Sequence, residues 1–292
     1  MAADFVTAQD WVDQGAYLRS RSRHNHFYRQ GGHGDTIILL HGMPTWSYDY
    51  AAICQSIEEH YETISMDFLG FGQSDKPKAY NFNVKQSADA VEDLLSRLGR
   101  QKVHLVAHDF GTLVSQELLQ RHRKNTNTFE IQSVTAMNCS IVFELFRPTR
   151  LMKLTMTPII GALVALMTKK ERVRPALDAA RGIRKFTDTE FEELWKGISK
   201  NGGHKISHRL FRYNKERAKH ADQWEQALYD FEGPVQLIWG IMDPVSGGHI
   251  LEALRSKMPR AKITSLQDVG HFPPLEAPKK VASAILAFLE ER

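Results

Sequence analysis

One stretch, Val103-His104-Leu105-Val106-Ala107-His108-Asp109-Phe110-Gly111-Thr112-Leu113, limits what this chain can fold into more than any other. Residues 103–107 carry the pattern of a buried strand, and helical apolar periodicity starts at Thr112 and runs to Gln120, leaving no room for a loop. An acid, Asp109, therefore sits at the tip of a strand-turn-helix. Its neighbours Ala107, Gly111 and Thr112 are small, as a sharp and crowded turn needs. Two roles fit an acid in that place. As an N-cap it would accept hydrogen bonds from the first free N–H groups of the helix. At the tip of a strained elbow it would instead be held out to attack a ligand.

The surrounding pattern alternates strands and helices. Residues 11–30 alternate aromatic and polar side chains around Gly15 and Arg19, which predicts two short antiparallel strands. Strands follow at 36–40 and 63–66, with a helix over 47–59 between them and a helix over 84–98 before the Asp109 strand. The glycine-rich loop from Asp67 to Pro77 lacks the spacing and the Lys-Ser/Thr ending of a phosphate loop. A strand is predicted at 133–137, after which strand character disappears. From 139 to 229 only helical runs are expected, broken at Pro148, Pro158, Pro175 and Gly202-Gly203. Strands return at 235–239 and 262–266, and a helix over 278–290 closes the chain. The fold class is α/β: a mostly parallel, doubly covered sheet, with a core of residues 1–138 and 230–292 and an inserted helical cap of residues 139–229.

Composition narrows the function classes. With 292 residues, 42% of them hydrophobic, the chain can bury one large core that carries an insertion. Its net charge is only +4, and the basic runs Arg121-His122-Arg123-Lys124 and Lys169-Lys170-Glu171-Arg172 have no interleaved aromatics, so no nucleic-acid partner is expected. Two cysteines, Cys54 and Cys139, make no disulfide framework and favour a reducing compartment, the cytoplasm. The start, Met1-Ala2-Ala3-Asp4-Phe5-Val6, reads as free of a signal peptide. The longest apolar run, 154–167, is interrupted by Pro158 and Gly161 and is shorter than the ~20 residues of a membrane span. It reads as a lid helix, with shallow membrane contact as the other reading.

Asp109, Asp243 and His271 each follow the end of a separate predicted strand, in the chain order nucleophile, acid, histidine. Ligands of open α/β sheets bind beyond those strand ends. On these residues and on HGMPTWSYDY, DFLGFGQSDKP, VAHDFGTLVSQELL, WGIMDPV and DVGHFPPLEAP, in that order, the sequence resembles the α/β-hydrolase fold. Within it the resemblance is to the aspartate-nucleophile branch of haloalkane dehalogenases and epoxide hydrolases. DFLGFGQSDKP, HDFGTLVSQELL and ELWKGISKNGG look like the mesoderm-specific transcript protein group.

The chemistry follows from the acid. A carboxylate that attacks saturated carbon displaces a leaving group and leaves an alkyl ester on Asp109, which His271, oriented by Asp243, would hydrolyse with water. The resemblance implies an oxyanion hole from the backbone N–H groups of Met43 and Phe110. Dehalogenases of this kind put Trp after the nucleophile and often Asn in the HGxP loop; here Phe110 and Met43 stand there, and neither side chain donates. Epoxide hydrolases use cap tyrosines; Tyr213 resembles one, while residues 141–146 offer only Phe143 and Phe146 for the other. Trp46, Phe143, Phe146, Leu163 and Met167 are the candidates to line an apolar substrate pocket. The expectation is a hydrolase opening an epoxide to a diol, with haloalkane dehalogenase and non-catalytic receptor as alternatives. It takes a small apolar electrophile and water, needs no metal or organic cofactor, has no transmembrane segment, and its oligomeric state is open.

Overall fold

A computed structural model of the chain describes residues 5–291. Residues 1–4, on which the reading of a leader-free start largely rests, lie outside the described residues. Eight strands form one sheet: β1 (Gly15–Arg19), β2 (Asn25–Gly31), β3 (Thr36–Leu40), β4 (Glu62–Met66), β5 (Lys102–His108), β6 (Glu130–Met137), β7 (Val235–Gly240) and β8 (Lys262–Leu266). Their spatial order is β1-β2-β4-β3-β5-β6-β7-β8. β2 runs antiparallel to β1 and β4, and every pairing from β4 through β8 is parallel.

Strand alternation sends neighbouring residues to opposite faces, and both faces are covered. Ile38, Leu40, Leu105 and Ala107 pack with Val91, Leu94 and Val114 on one side. Ile37, Leu39 and Val106 pack with Ile53, Ile57, Val281 and Ile285 on the other. That double cover is why β3, whose five residues are all buried, reads as an unbroken apolar run. The carboxyl ends of β5, β7 and β8 then point to one edge of the sheet, which is where the three candidate residues stand.

The structure departs from expectation in places with local causes. Trp11 belongs to a helix, Ala8–Asp13, and not to a strand: Thr7 and Asp10 form a capping box at its start. The 154–167 segment is two helices, Arg150–Thr155 and Pro158–Leu166, the second opened by Thr157, whose side chain accepts from the Gly161 N–H. Pro175 does not end a helix but lies inside Lys170–Ala180. Its missing N–H forfeits one backbone bond, and Leu177 is buried beneath the same helix. Between β6 and β7 the described residues form helical segments and no strand. No helix among the described residues is long and apolar enough to cross a membrane.

Candidate active site

Asp109 joins β5 to the helix Phe110–Arg123 with φ 47° and ψ −113°, and its side chain makes no capping bond. A non-glycine residue there stores roughly 1–3 kcal/mol of strain, which the surroundings must enforce. They do so through backbone bonds: Asp109 N–H donates to the Met137 carbonyl at 3.1 Å and Gly111 N–H to the His41 carbonyl at 3.0 Å. Gly111 is obligatory, since a Cβ would lie 2.1 Å from the Leu40 carbonyl oxygen. The N-cap reading thus fails on geometry. The carboxylate turns the other way, with Oδ1 accepting from the Met43 N–H at 2.9 Å. Phe110 is the first residue of the helix, a position whose N–H has no intrahelical partner.

His271 faces Asp109 Oδ2 through Nε2 at 3.5 Å and holds Asp243 Oδ2 through Nδ1 at 2.7 Å. Asp243 is fully enclosed by donors. Val245 N–H donates to Oδ1 at 2.7 Å, and Ser246 Oγ (2.6 Å) and Asn138 Nδ2 (3.0 Å) donate to Oδ2. Burial raises its pKa, but the charge and hydrogen bond of His271, with Ser246 and Val245, win and hold the carboxyl well below its ordinary range. For His271 burial alone favours the neutral ring; Asp243, then Asp109 and Glu276, outweigh it and lift the imidazole to about 9. The resting pair at neutral pH is therefore imidazolium between two carboxylates.

The loop that carries His271 is pinned from three directions. His108, kept neutral because burial and then the charge of His271 push it down to about 4, donates from Nε2 to the His271 carbonyl at 2.6 Å. Glu276 accepts from the N–H groups of Gly270, Phe272 and Gly182 at 3.0, 2.9 and 2.7 Å. His271 N–H donates to the Ala180 carbonyl at 2.8 Å, so the helix Lys170–Ala180 buttresses the same loop.

These side chains open into a cavity of about 420 Å³ whose walls include Met43, Asp109, Phe146, Met167, Tyr213 and His271. Among the expected lining residues, Phe146 and Met167 are in the wall and Trp46, Phe143 and Leu163 are not. Trp46 is fully buried beside Gly197, its Nε1–H donating to the Leu194 carbonyl at 3.1 Å, because the indole needs a partner once enclosed. Phe143 stacks under the Arg217 guanidinium at 4.9 Å. Leu163 points outward and is 57% exposed. Tyr213 reaches the wall through a ring packed 5.0 Å from Phe110. Burial and Asp109 push its phenol far up, while Arg217 pulls the other way.

Two residues were not singled out from the sequence. Asn138 (φ 30°) ties β6 to β7: its Oδ1 accepts from the Gly240 N–H at 2.7 Å, while Nδ2 donates to the Gly240 carbonyl and to Asp243. Arg217, 3% exposed, lines the cavity between the rings of Phe143 and Phe146 and donates to the Ser140 carbonyl. Its spacing of four from Tyr213 puts both on one helix face, the one signal that could have found it. Among the described residues no group of three or more His, Cys, Asp or Glu side chains is arranged to hold a metal ion.

A parallel sheet covered by helices, with acid, acid and histidine beyond its strand ends, defines the α/β-hydrolase class. The family model described as alpha/beta hydrolase fold matches residues 35–278, and the chain belongs to that family. It is 31% identical over 285 residues to the protein named hydrolase LipZ of Mycobacterium tuberculosis, spanning 97% of this chain and 98% of LipZ. It is 33% identical over 269 residues to the mesoderm-specific transcript homolog protein of Homo sapiens, spanning 88% of this chain and 79% of the human protein. Among solved structures, the haloalkane dehalogenase DbeA from Bradyrhizobium elkani shares the fold with a TM-score of 0.78 at 20% identity, covering 95% of this chain and 99% of that one.

Proposed function

We propose that the chain is a hydrolase that works through an alkyl ester on Asp109 and that its substrate is an epoxide, opened to a diol. The observation that carries this reading is the setting of the Asp109 carboxylate, with Oδ1 on the Met43 N–H and Oδ2 facing His271. Oδ2 attacks a ring carbon and the C–O bond breaks. The alkoxide takes the Tyr213 proton while Arg217 in the same wall opposes the developing charge. The phenolate is reprotonated through solvent from the imidazolium, leaving His271 neutral. Loss of the Asp109 charge on esterification favours that neutral form, since Asp109 is one of the groups that raise the imidazole. Water then attacks Cγ of Asp109 and gives its proton to His271. The Met43 and Phe110 N–H groups hold the oxyanion; on collapse the imidazolium protonates the departing alkoxide, which frees the diol, and the new Asp109 carboxyl proton passes to His271 and restores the imidazolium.

An oxygen leaving group is favoured over halide because the side chains at 43 and 110 donate nothing, whereas a phenol and a guanidinium wall the cavity. Residues 139–229 act as the cap that closes this cavity over the core. The free, buried Cys54 and Cys139 fit a reducing compartment.

The test is the intact mass of His271→Gln protein after exposure to an aryl epoxide and, separately, to a bromoalkane. Without the base the ester is trapped. Gain of the whole epoxide, absent from Asp109→Ala protein, is the expected result. An alkyl adduct with bromide release assigns a dehalogenase instead, and no adduct from either favours a receptor.

A further inference from the structure

The helices Arg150–Thr155 and Pro158–Leu166 turn an unusual face to solvent. Seven of the eleven large apolar side chains that are exposed among the described residues fall between 151 and 167. Ile159, Leu163 and Leu166 are 77%, 57% and 61% exposed. The second helix, PIIGALVAL, has no charged or polar residue on any side, although among its described residues only Gly161 and Ala165 are buried. A helix that borders water carries a polar outer face; this one does not. Contiguous exposed apolar surface of this kind marks a docking site.

Charge says what docks. Arg147 and Arg150 precede the apolar face, Lys153 lies near its start, and Lys169 and Arg172 follow it; all five are exposed. Such a face would meet a second copy of itself with like charges opposed at its rim. An anionic lipid surface matches both features: apolar side chains enter the acyl boundary while the basic rim meets the headgroups. We infer that these two helices seat the protein on an anionic bilayer.

The same helices form part of the cavity wall through Leu151, Leu154, Val164 and Met167, and Arg172 joins that wall from the basic rim. Seated this way, that part of the cavity wall lies against lipid, which gives a membrane-dissolved apolar substrate a route in between these helices without crossing water. This route rests on the proposed function; the docking does not, and Asp109→Ala protein docks equally.

The experiment is vesicle flotation of the full chain with phosphatidylcholine alone and with added phosphatidylserine. The wild type and Asp109→Ala float with anionic vesicles, less so as salt rises, and hardly with neutral ones. Ile159→Ser/Leu163→Ser/Leu166→Ser, at outward positions absent from the cavity wall, loses roughly tenfold or more in partitioning. It keeps its unfolding midpoint and its turnover of a water-soluble substrate. Lys153→Glu/Lys169→Glu reduces anionic binding alone. Equal flotation of wild type and triple variant, or none by either, overturns the inference. So does a concentration-dependent dimer that the triple variant abolishes, which would give the face to a second copy.

Discussion

His271 Nδ1 lies 2.7 Å from Asp243 Oδ2 in a site where both are almost wholly enclosed, and that contact sets the charge of the histidine. Folding raises the imidazole from 6.5 to about 9, so the folded state favours the protonated ring. The resulting stabilisation is complete below the unfolded value and vanishes as pH rises through the folded one. The unfolding midpoint is therefore expected to fall between pH 6.5 and 9 more steeply in the wild type than in His271→Gln. Parallel pH slopes for the two proteins would rule this out.

The same charge balance separates the two chemical steps. Esterifying Asp109 removes one of the two facing carboxylates, so the histidine becomes easier to deprotonate only once the ester exists. Acidification then stalls ester hydrolysis, which needs the neutral ring of His271, whereas attack by Asp109 uses no neutral histidine. Wild-type protein mixed with an aryl epoxide at successively lower pH is expected to accumulate the adduct by intact mass. Turnover that declines with no adduct at any pH would place the titration in the first step.

Asn138 holds Asp243 and the end of β7 at once, through bonds of 3.0, 2.9 and 2.7 Å. Asn138→Ala takes one bond each from the Gly240 N–H and carbonyl and one of three donors from Asp243 Oδ2 in a buried place, at a cost of about 1–3 kcal/mol. Looser seating of Asp243 also lets His271 turn, so hydrolysis of a preformed ester is expected to slow more than its formation. Urea unfolding and single-turnover mass kinetics measure the two effects. Unchanged ester hydrolysis would make Asn138 a fold residue only.

Asn138 also shows where the sequence stops being readable. The elbow was legible because its demands are local: a strand, small neighbours, and a helix with no loop between. Strand ends place Asp243 and His271 by the same local logic. The bonds of Asn138 reach 102 and 105 residues along the chain, and no periodicity reports them. Trp46 looked like pocket lining for a related reason: apolar character is shared by core and cavity wall, and only the packing of Leu194 and Gly197 against it tells which it is. The 154–167 run was legible as apolar, but its split at Met156 and Thr157 depended on a cap.

That placement of Trp46 has a consequence of its own. Trp46→Phe loses the indole bond to the Leu194 carbonyl, which keeps its place in the Asp188–Ser199 helix, at a cost of about 0.5–1.5 kcal/mol of stability. Because the indole does not touch the cavity, KM for any substrate is expected to hold. Thermal unfolding and steady-state kinetics check the pair of outcomes, and a KM that rises with no loss of stability would return Trp46 to the pocket.

Arg217 allows the sharpest division of labour. A buried guanidinium without a carboxylate partner is costly, yet among the described residues that of Arg217 donates to the Ser140 carbonyl, with Phe143 and Phe146 stacked against it. If its charge supports the departing alkoxide, Arg217→Met slows ester formation by roughly a hundredfold to a thousandfold, as loss of one preorganised donor does. Ester hydrolysis, which takes place at Asp109 Cγ with Met43 and Phe110 as donors, stays near the wild-type rate. Arg217→Lys keeps the charge and recovers part of the first step but loses the planar stacking. Tyr213→Phe is expected to impair the same step, and the double variant to cost less than the sum if both act on one oxygen. Rapid-quench mass measurement of adduct growth and decay resolves the steps. Equal slowing of formation and decay in Arg217→Met, matched by a lower unfolding midpoint and unrelieved by lysine, would reduce Arg217 to a packing residue between the two rings.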